Sequence, residues 1–349
     1  GDYHTYRIPA VAVAVDGTIL AFCEARKNIA YDWGEIHVGL RRSTDNGASW
    51  TKIQIVASNG EDTAGNPCVV VDRDTGAVWL MYCRNNNSVY VCKSEDNGVS
   101  WSKPREITLD VKLGGWTWYG TGPGHGIQLK NGRLVIPSYH GEDVRHHPIY
   151  TRSHTVYSDD HGETWKVGGV LGAGSSECEA AEMNSGSLYM TMRNGDGEFK
   201  VRLASTSLDG GDNWSEIVEV EDILDPGCMG SVATLPDSDN YSNEMLLICC
   251  PASTTRRQNL TLRGSYDSGV TWPVSTVLFP GFAGYSDLAT GPDNIIYCMY
   301  ERGTNLYTDR IVLAEFNREW LESIRSPLTN FRGNRIATGT GWRLKEEWE

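Results

Sequence analysis

The sequence predicts an all-β fold, a six-bladed β-propeller, from three observations. Five copies of Ser-x-Asp-x-Gly-x-x-Trp run down the chain: Ser43–Trp50, Ser94–Trp101, Ser158–Trp165, Ser207–Trp214 and Ser265–Trp272. Their starts lie 51, 64, 49 and 58 residues apart, the signature of a radial or stacked repeat. Between them, short β-branched or aromatic runs alternate with Gly, Asn and Asp clusters, and helical stretches are scarce.

Each motif reads as a hairpin corner. Ser and Asp side chains bond back to nearby backbone, and Gly supplies the angles of a tight reversal. The Trp ring then packs beneath the turn. Strands are expected at Arg7–Val15, Thr18–Cys23, Ala77–Cys83, Ser88–Lys93, Arg133–Tyr139, Ser187–Arg193, Met245–Cys250 and Ile295–Tyr300. One helix is expected, 317–324, capped by Asn317 with Trp320, Leu321 and Ile324 facing inward. At one blade per 50 to 60 residues, the 349 residues give about six blades, five with the marked corner and one without. No linker or low-complexity tract appears, so residues 1–349 read as a single domain, each blade leaning on its neighbours. A propeller places its ligand site near the axis, where loops of different blades converge.

The formal charge of −14 and a pI near 5.0 disfavour nucleic acid and anionic membranes as partners. They leave room for a small basic pocket holding one anion. No run is long and apolar enough for a transmembrane helix. The nine cysteines fit no zinc spacing and read as buried small hydrophobes, with one or two disulfides left open.

Tyr6-Arg7-Ile8-Pro9-Ala10 ahead of the five repeats resembles the exo-sialidase (neuraminidase) family over nearly the whole chain. Further matching stretches are Phe22–Arg26, Gly122–Gly126, Glu177–Glu182, Met192–Asn194, Tyr285–Leu288 and Tyr300-Glu301. The resemblance implies a six-bladed propeller that removes terminal sialic acid from glycoproteins, glycolipids or oligosaccharides.

Such a substrate carries a carboxylate on its anomeric carbon, and a planar, always-charged guanidinium is its best partner. By resemblance, Arg7, Arg193 and Arg257 hold that carboxylate; Arg256 and Arg263 remain alternatives for the third. Arg7 carries the strongest independent signal, since a charge within an apolar strand is costly without a partner. Glu301 resembles the carboxylate that fixes the first arginine. Tyr285 matches the family's nucleophile and Glu177 its base, with Glu179 and Glu182 as competitors. A neutral phenol suits this role, because an anionic nucleophile would be repelled by the substrate carboxylate. Asp32, six residues past Arg26, matches the acid/base, and Arg26 an additional pocket arginine. Nearby arginines push the Asp32 pKa down, while desolvation by Tyr31 and Trp33 pushes it up.

Tyr119 and Tyr139 fall where the family places residues near the glycerol tail and outer pocket, and Ile29 and Ala30 where an acetamido pocket would be. His125 reads as a structural loop residue; His140, His146 and His147 read as solvated loop histidines rather than metal ligands. No metal or organic cofactor is implied. The alternatives to hydrolysis are transfer to a second sugar, release of an anhydro sugar, and a non-catalytic glycan-binding propeller. The substrate class favours an extracellular or periplasmic location.

Overall fold

The computed structural model describes residues 3–143, 150–195, 201–235 and 244–323, and the backbone of 342–348. The first sheet is the meander β1 (Thr5–Val13), β2 (Ile19–Arg26), β3 (Ile36–Ser43) and β4 (Gln54–Ala57). The second holds β5 (Ala64–Val71), β6 (Val78–Arg84), β7 (Ser88–Ser94) and β8 (Arg105–Glu106), followed by the short helix α1 (Thr108–Val111). The inner strand of the third sheet comes in two pieces, β9 (Trp118–Thr121) and β11 (Ile127–Gln128). Between them Gly122–Gly126 detours, and β10 (Gly124–His125) pairs in parallel with β5. The third sheet continues with β12 (Leu134–Gly141), β13 (Thr151–Ser158) and β14 (Lys166–Ala173). The fourth is β15 (Ser175–Glu182), β16 (Leu188–Asn194), β17 (Val201–Ser207) and β18 (Val218–Leu224).

The last sheet has seven strands: β19 (Ser231–Leu235), β20 (Met245–Pro251), β21 (Gln258–Ser265), β22 (Val274–Thr290), β23 (Ile295–Gly303), β24 (Arg310–Asn317) and β25 (Trp342–Trp348). The fold is thus an all-β propeller of five hydrogen-bonded sheets where six separate ones are expected. The reason is β22. Its 17 residues pair with β21 over Val274–Phe282 and with β23 over Phe282–Thr290, so two meanders share one unbroken strand. An axial cavity of about 480 Å³ is lined by Val11, Val69, Ile127, Ala181, Val232 and Leu288, from the inner strands β1, β5, β11, β15, β19 and β22.

Every Ser-Asp-Gly-Trp motif joins the third strand of a meander to its fourth. In each, the Ser hydroxyl donates to the Asp carboxylate at 2.7–2.8 Å. The Gly amide donates to the same Ser at 2.8–2.9 Å. Two successive residues have positive φ: Asn46-Gly47, Asn97-Gly98, His161-Gly162, Gly210-Gly211 and Ser268-Gly269. That demand explains the Gly. The Trp does more than sit under its own turn, because it reaches the preceding blade. Trp101 meets Phe22 at 5.8 Å, Trp165 meets Trp79 at 6.2 Å and Trp272 meets Tyr189 at 6.2 Å, ring centre to centre and edge to face. Helix α2 (Arg318–Ser323) takes the place of the corner after β24. The Asn317 side chain accepts from the Trp320 amide at 3.0 Å, and Trp320 and Leu321 are buried; Ile324 lies outside the described residues.

All nine cysteines are buried and unpaired. Cys249 and Cys298 come within 3.6 Å, sulfur to sulfur. His140 departs from the solvated-loop expectation: it is a fully buried residue of β12, stacked on Trp116 at 3.5 Å between ring centres. Burial pushes its pKa down to about 4. His146 and His147 lie outside the described residues.

Candidate active site

The chemistry-bearing residues gather at one end of the ring, and bulges in the inner strands put them there. The register slips between Arg7 and Ala10 in β1, Gly65 and Cys68 in β5, Ser175 and Cys178 in β15, and Ala283 and Ser286 in β22. A bulge turns a side chain that the pleat would send elsewhere. Arg7, Glu177 and Tyr285 all sit at these slips. Ile8 and Asn66 adopt φ of 59° and 53° there. That conformation is costly for a β-branched residue such as Ile, so its surroundings must hold it.

Glu301 provides that hold. Its fully buried carboxylate accepts from Arg7 Nε at 2.9 Å, Arg7 Nη2 at 3.2 Å, the Ile8 amide at 3.0 Å and the Tyr285 amide at 3.1 Å. One side chain therefore fixes both the Arg7 bulge and the Tyr285 bulge. The glycine before the tyrosine, Gly284, keeps the space clear, since a Cβ there would collide with Glu301 Oε2.

The Tyr285 hydroxyl donates to Glu177 Oε1. Arg193 Nη1 donates to Glu177 Oε2 at 2.6 Å and to the Tyr285 hydroxyl at 3.3 Å. The guanidinium carbons of Arg7 and Arg257 lie 5.4 and 5.2 Å from the centre of the Tyr285 ring. Arg7, Arg193 and Arg257 thus surround one phenol. Arg257 Nη2 donates to the Gly227 carbonyl at 3.0 Å. Of the alternatives for the third arginine, Arg256 is exposed, and Arg263 is buried beside Cys250 and Asp222.

Burial, then the charge of Glu177, push the Tyr285 phenol well above its ordinary value of 10.0, against the pull of Arg193 and Arg257. It is neutral at pH 7. Burial opposes the charge on Arg7, but the carboxylates of Glu301 and Asp32 outweigh it.

Asp32 sits on the loop between β2 and β3 with its side chain 79 % exposed. Its Oδ1 is 2.7 Å from Arg26 Nη2 and 3.4 Å from Arg7 Nη1. Desolvation works against ionisation, yet Arg26 and then Arg7 win and lower its pKa below 3.8. Arg26 is itself held by Glu24 Oε2 at 3.0 and 2.6 Å and by the Ala30 carbonyl at 2.6 Å.

The two further tyrosines part ways. Tyr139 is 6 % exposed, its ring centre 4.7 Å from that of Trp118, and burial followed by the nearby charge of Glu177 raises its pKa. Tyr119 is not brought to the group. It is fully buried on β9, its hydroxyl 3.0 Å from His154 Nε2, among Trp116, His140 and His154. Of the competitors for Glu177, Glu182 accepts from the Lys130 amide at 2.9 Å, and Glu179 points at the axis. Glu179, Asp287 and His125 form an axial cluster, with His125 Nδ1 2.6 Å from Asp287 and 3.5 Å from Glu179.

Four further groups were given no role by the sequence reading. Tyr307 lies under the guanidinium groups of both Arg7 (5.4 Å) and Arg257 (4.9 Å). Glu24 braces Arg26. Arg202 and Asp225 form a buried ion pair at 3.1 Å. Arg202 also holds the Cys228 carbonyl at 2.6 Å, and so fixes the segment whose Gly227 receives Arg257. Charged residues within apolar strands were the available signal for Glu24 and Arg202; Tyr307 gave none.

Residues 17–298 match the model of a family described as BNR repeat-like domain. The sialidase of Micromonospora viridifaciens is 32 % identical over 94 % of this chain and 54 % of its own length. That of Bacteroides fragilis is 30 % identical over 85 % of this chain and 60 % of its own. The chain therefore spans little more than half of these relatives. Among solved structures, a Hadza microbial sialidase superposes with a TM-score of 0.78 at 29 % identity, over 86 % of this chain and 64 % of that one. The intramolecular trans-sialidase of Ruminococcus gnavus shares the fold, with a TM-score of 0.75 at 18 % identity over 93 % and 96 % of the two chains.

Proposed function

The chain belongs to the BNR-repeat sialidase family, and on that premise we propose that it is a retaining exo-α-sialidase, a glycoside hydrolase releasing terminal sialic acid from glycoconjugates. We read it as one catalytic domain of six blades, counting the two meanders that share β22 separately. The observation that carries the reading is the phenol of Tyr285, which touches Glu177 and Arg193 and is flanked by Arg7 and Arg257.

The three arginines take the substrate carboxylate. Arg193 holds the Glu177 carboxylate against the phenol. As the phenolic oxygen attacks the anomeric carbon, Glu177 accepts its proton and no net charge approaches the carboxylate. Asp32 gives a proton to the departing glycosidic oxygen. In the second step Asp32 takes a proton from water, the water oxygen attacks the same carbon, and Tyr285 leaves with the proton returned by Glu177. Two inversions give net retention.

Replacing Tyr285 by Phe keeps the pocket and removes the attacking oxygen. Cleavage of a fluorogenic aryl sialoside by that variant is expected to fall by about 10²-fold or more. Unchanged turnover sinks the assignment. NMR of the first product separates free sialic acid from an anhydro or transferred sugar.

A further inference from the structure

Trp33 is the one exposed tryptophan among residues whose side chains are described, 66 % exposed, and Tyr31 beside it is 57 % exposed. Their rings stack on each other, centres 5.6 Å apart and planes 26° apart. Other tryptophans of this chain fill seams between blades. Two large rings in water call for an occupant, since burying such surface is where aromatics gain most.

The loop that carries them is braced. Lys27 N donates to the Glu35 carbonyl at 2.9 Å, Arg26 Nη1 to the Ala30 carbonyl at 2.6 Å, and Thr63 Oγ1 to the Gly34 carbonyl at 3.0 Å. The rings are therefore presented by a held segment. They also flank Asp32 on either side in sequence, and Asp32 is tied to Arg26 and Arg7.

We propose that Tyr31 and Trp33 form a binding subsite for the leaving sugar, a neutral pyranose that lays its C–H face on the stacked rings. The inference rests on the sialidase reading above. Its geometric core is the position of Asp32. The glycosidic oxygen must come within hydrogen-bond reach of the group that protonates it. The sugar on the far side of that oxygen then lies one ring away, beside the residues adjoining Asp32. The π face of an aromatic is negative and its complement is a positive edge, which the C–H bonds of a pyranose face supply. The carboxylate of Glu35 on the same loop opposes an anionic occupant. The subsite thus favours a neutral hexose over a second sialic acid in the leaving position.

The test compares two substrates in the intact chain. Sialyllactose carries a leaving sugar; sialyl fluoride has a leaving group too small to reach the rings. In the double variant Tyr31→Ala, Trp33→Ala, kcat/KM on sialyllactose is expected to fall about tenfold, the scale of an aromatic contact. On sialyl fluoride the change should stay within about twofold. A parallel fall on both substrates overturns the subsite, and so does an equal fall on methyl sialoside, whose leaving oxygen needs the Asp32 proton but carries no ring to meet Tyr31 and Trp33. No fall on either also overturns it. Trp33→Phe, which keeps a ring, should recover most of the loss on sialyllactose. Failure of the unaltered chain to turn over sialyl fluoride removes the sialidase reading, and the subsite with it.

Discussion

Asp32 holds the most telling electrostatic position in the pocket. Arg26 and Arg7 keep it ionised, with a pKa below 3.8, whereas the acid role proposed for it requires a proton. In the proposed reaction a substrate carboxylate resolves this in the right direction. It engages Arg7 and brings a negative charge near Asp32, and both effects raise the Asp32 pKa. A carboxylate ligand therefore prefers the protonated form. Binding should take up a proton at pH values between the free and the bound pKa of Asp32. Affinity should fall as pH rises through that window, by at most tenfold per pH unit. Titration calorimetry in buffers of different ionisation heat measures the uptake, and Asp32→Asn should abolish it. Proton uptake that persists in Asp32→Asn would assign it to another group.

Legibility in the sequence divides along similar lines at this scale. Arg7, Arg26, Asp32, Glu177, Arg193, Arg257, Tyr285 and Glu301 stand in short motifs, and the fold brings them to one end of the ring. Tyr119 has no such motif logic: pairing of β9 with β12 turns its hydroxyl toward His154. Tyr307, Arg202 and Asp225 act through contacts that no local pattern encodes.

Among the elements, the bulges and the repeated corners had opposite fates. The corners could be read because their chemistry is local: Ser, Asp and Gly satisfy one another within five residues. The bulges could not, because a slip of register exists only relative to a partner strand. β22 was equally hidden. Pro280-Gly281 has the composition of a turn, yet the strand only slips register there and pairs again at Phe282. The corners also set the acid limit of the fold. Hydrogen bonds from the Ser49 side chain and amide push Asp45 down to about 2, and the Ser100 side chain and amide do the same for Asp96. Asp160, Asp209 and Asp267 are lowered as well. A depressed folded pKa contributes stability above the ordinary value of 3.8, and that stability is lost as pH falls through the folded value. The thermal midpoint should therefore drop steeply between about pH 4 and pH 2. Asp96→Asn, which does not titrate, should show a shallower drop over that interval. An identical slope would show that the corners do not govern acid unfolding.

At the level of the whole molecule, closure of the ring is the exposed point. Among the described residues, no strand of the first sheet pairs with the last. The join is made by side chains: Val11, Ile19, Ala21 and Cys23 pack on Ala289, Tyr297, Met299, Ile311 and Leu313. Two buried carboxylates reinforce it. Asp287 accepts from the Val11 amide at 2.6 Å, and Glu301 holds Arg7, Ile8 and Tyr285. Removing the charge of Glu301 leaves Arg7, 5 % exposed, without its buried counter-ion and with only the exposed Asp32 at 3.4 Å. Losing one partner of a buried pair costs about 3–5 kcal/mol. Glu301→Gln should lower the melting midpoint by several degrees and reduce activity at the same time. A variant that keeps its melting point and loses only activity would separate the pocket from the join.

Arg7 and its carboxylate partner stand 294 positions apart in the chain. During synthesis the guanidinium therefore leaves the ribosome long before the acid that neutralises it. Until the last sheet arrives, the nascent chain has half-built walls around a guanidinium that lacks its buried partner. On the proposed reading, the full three-arginine grip on a sugar acid forms only when the circle shuts, and a shortened product that stops before Glu301 lacks the carboxylate that holds Arg7.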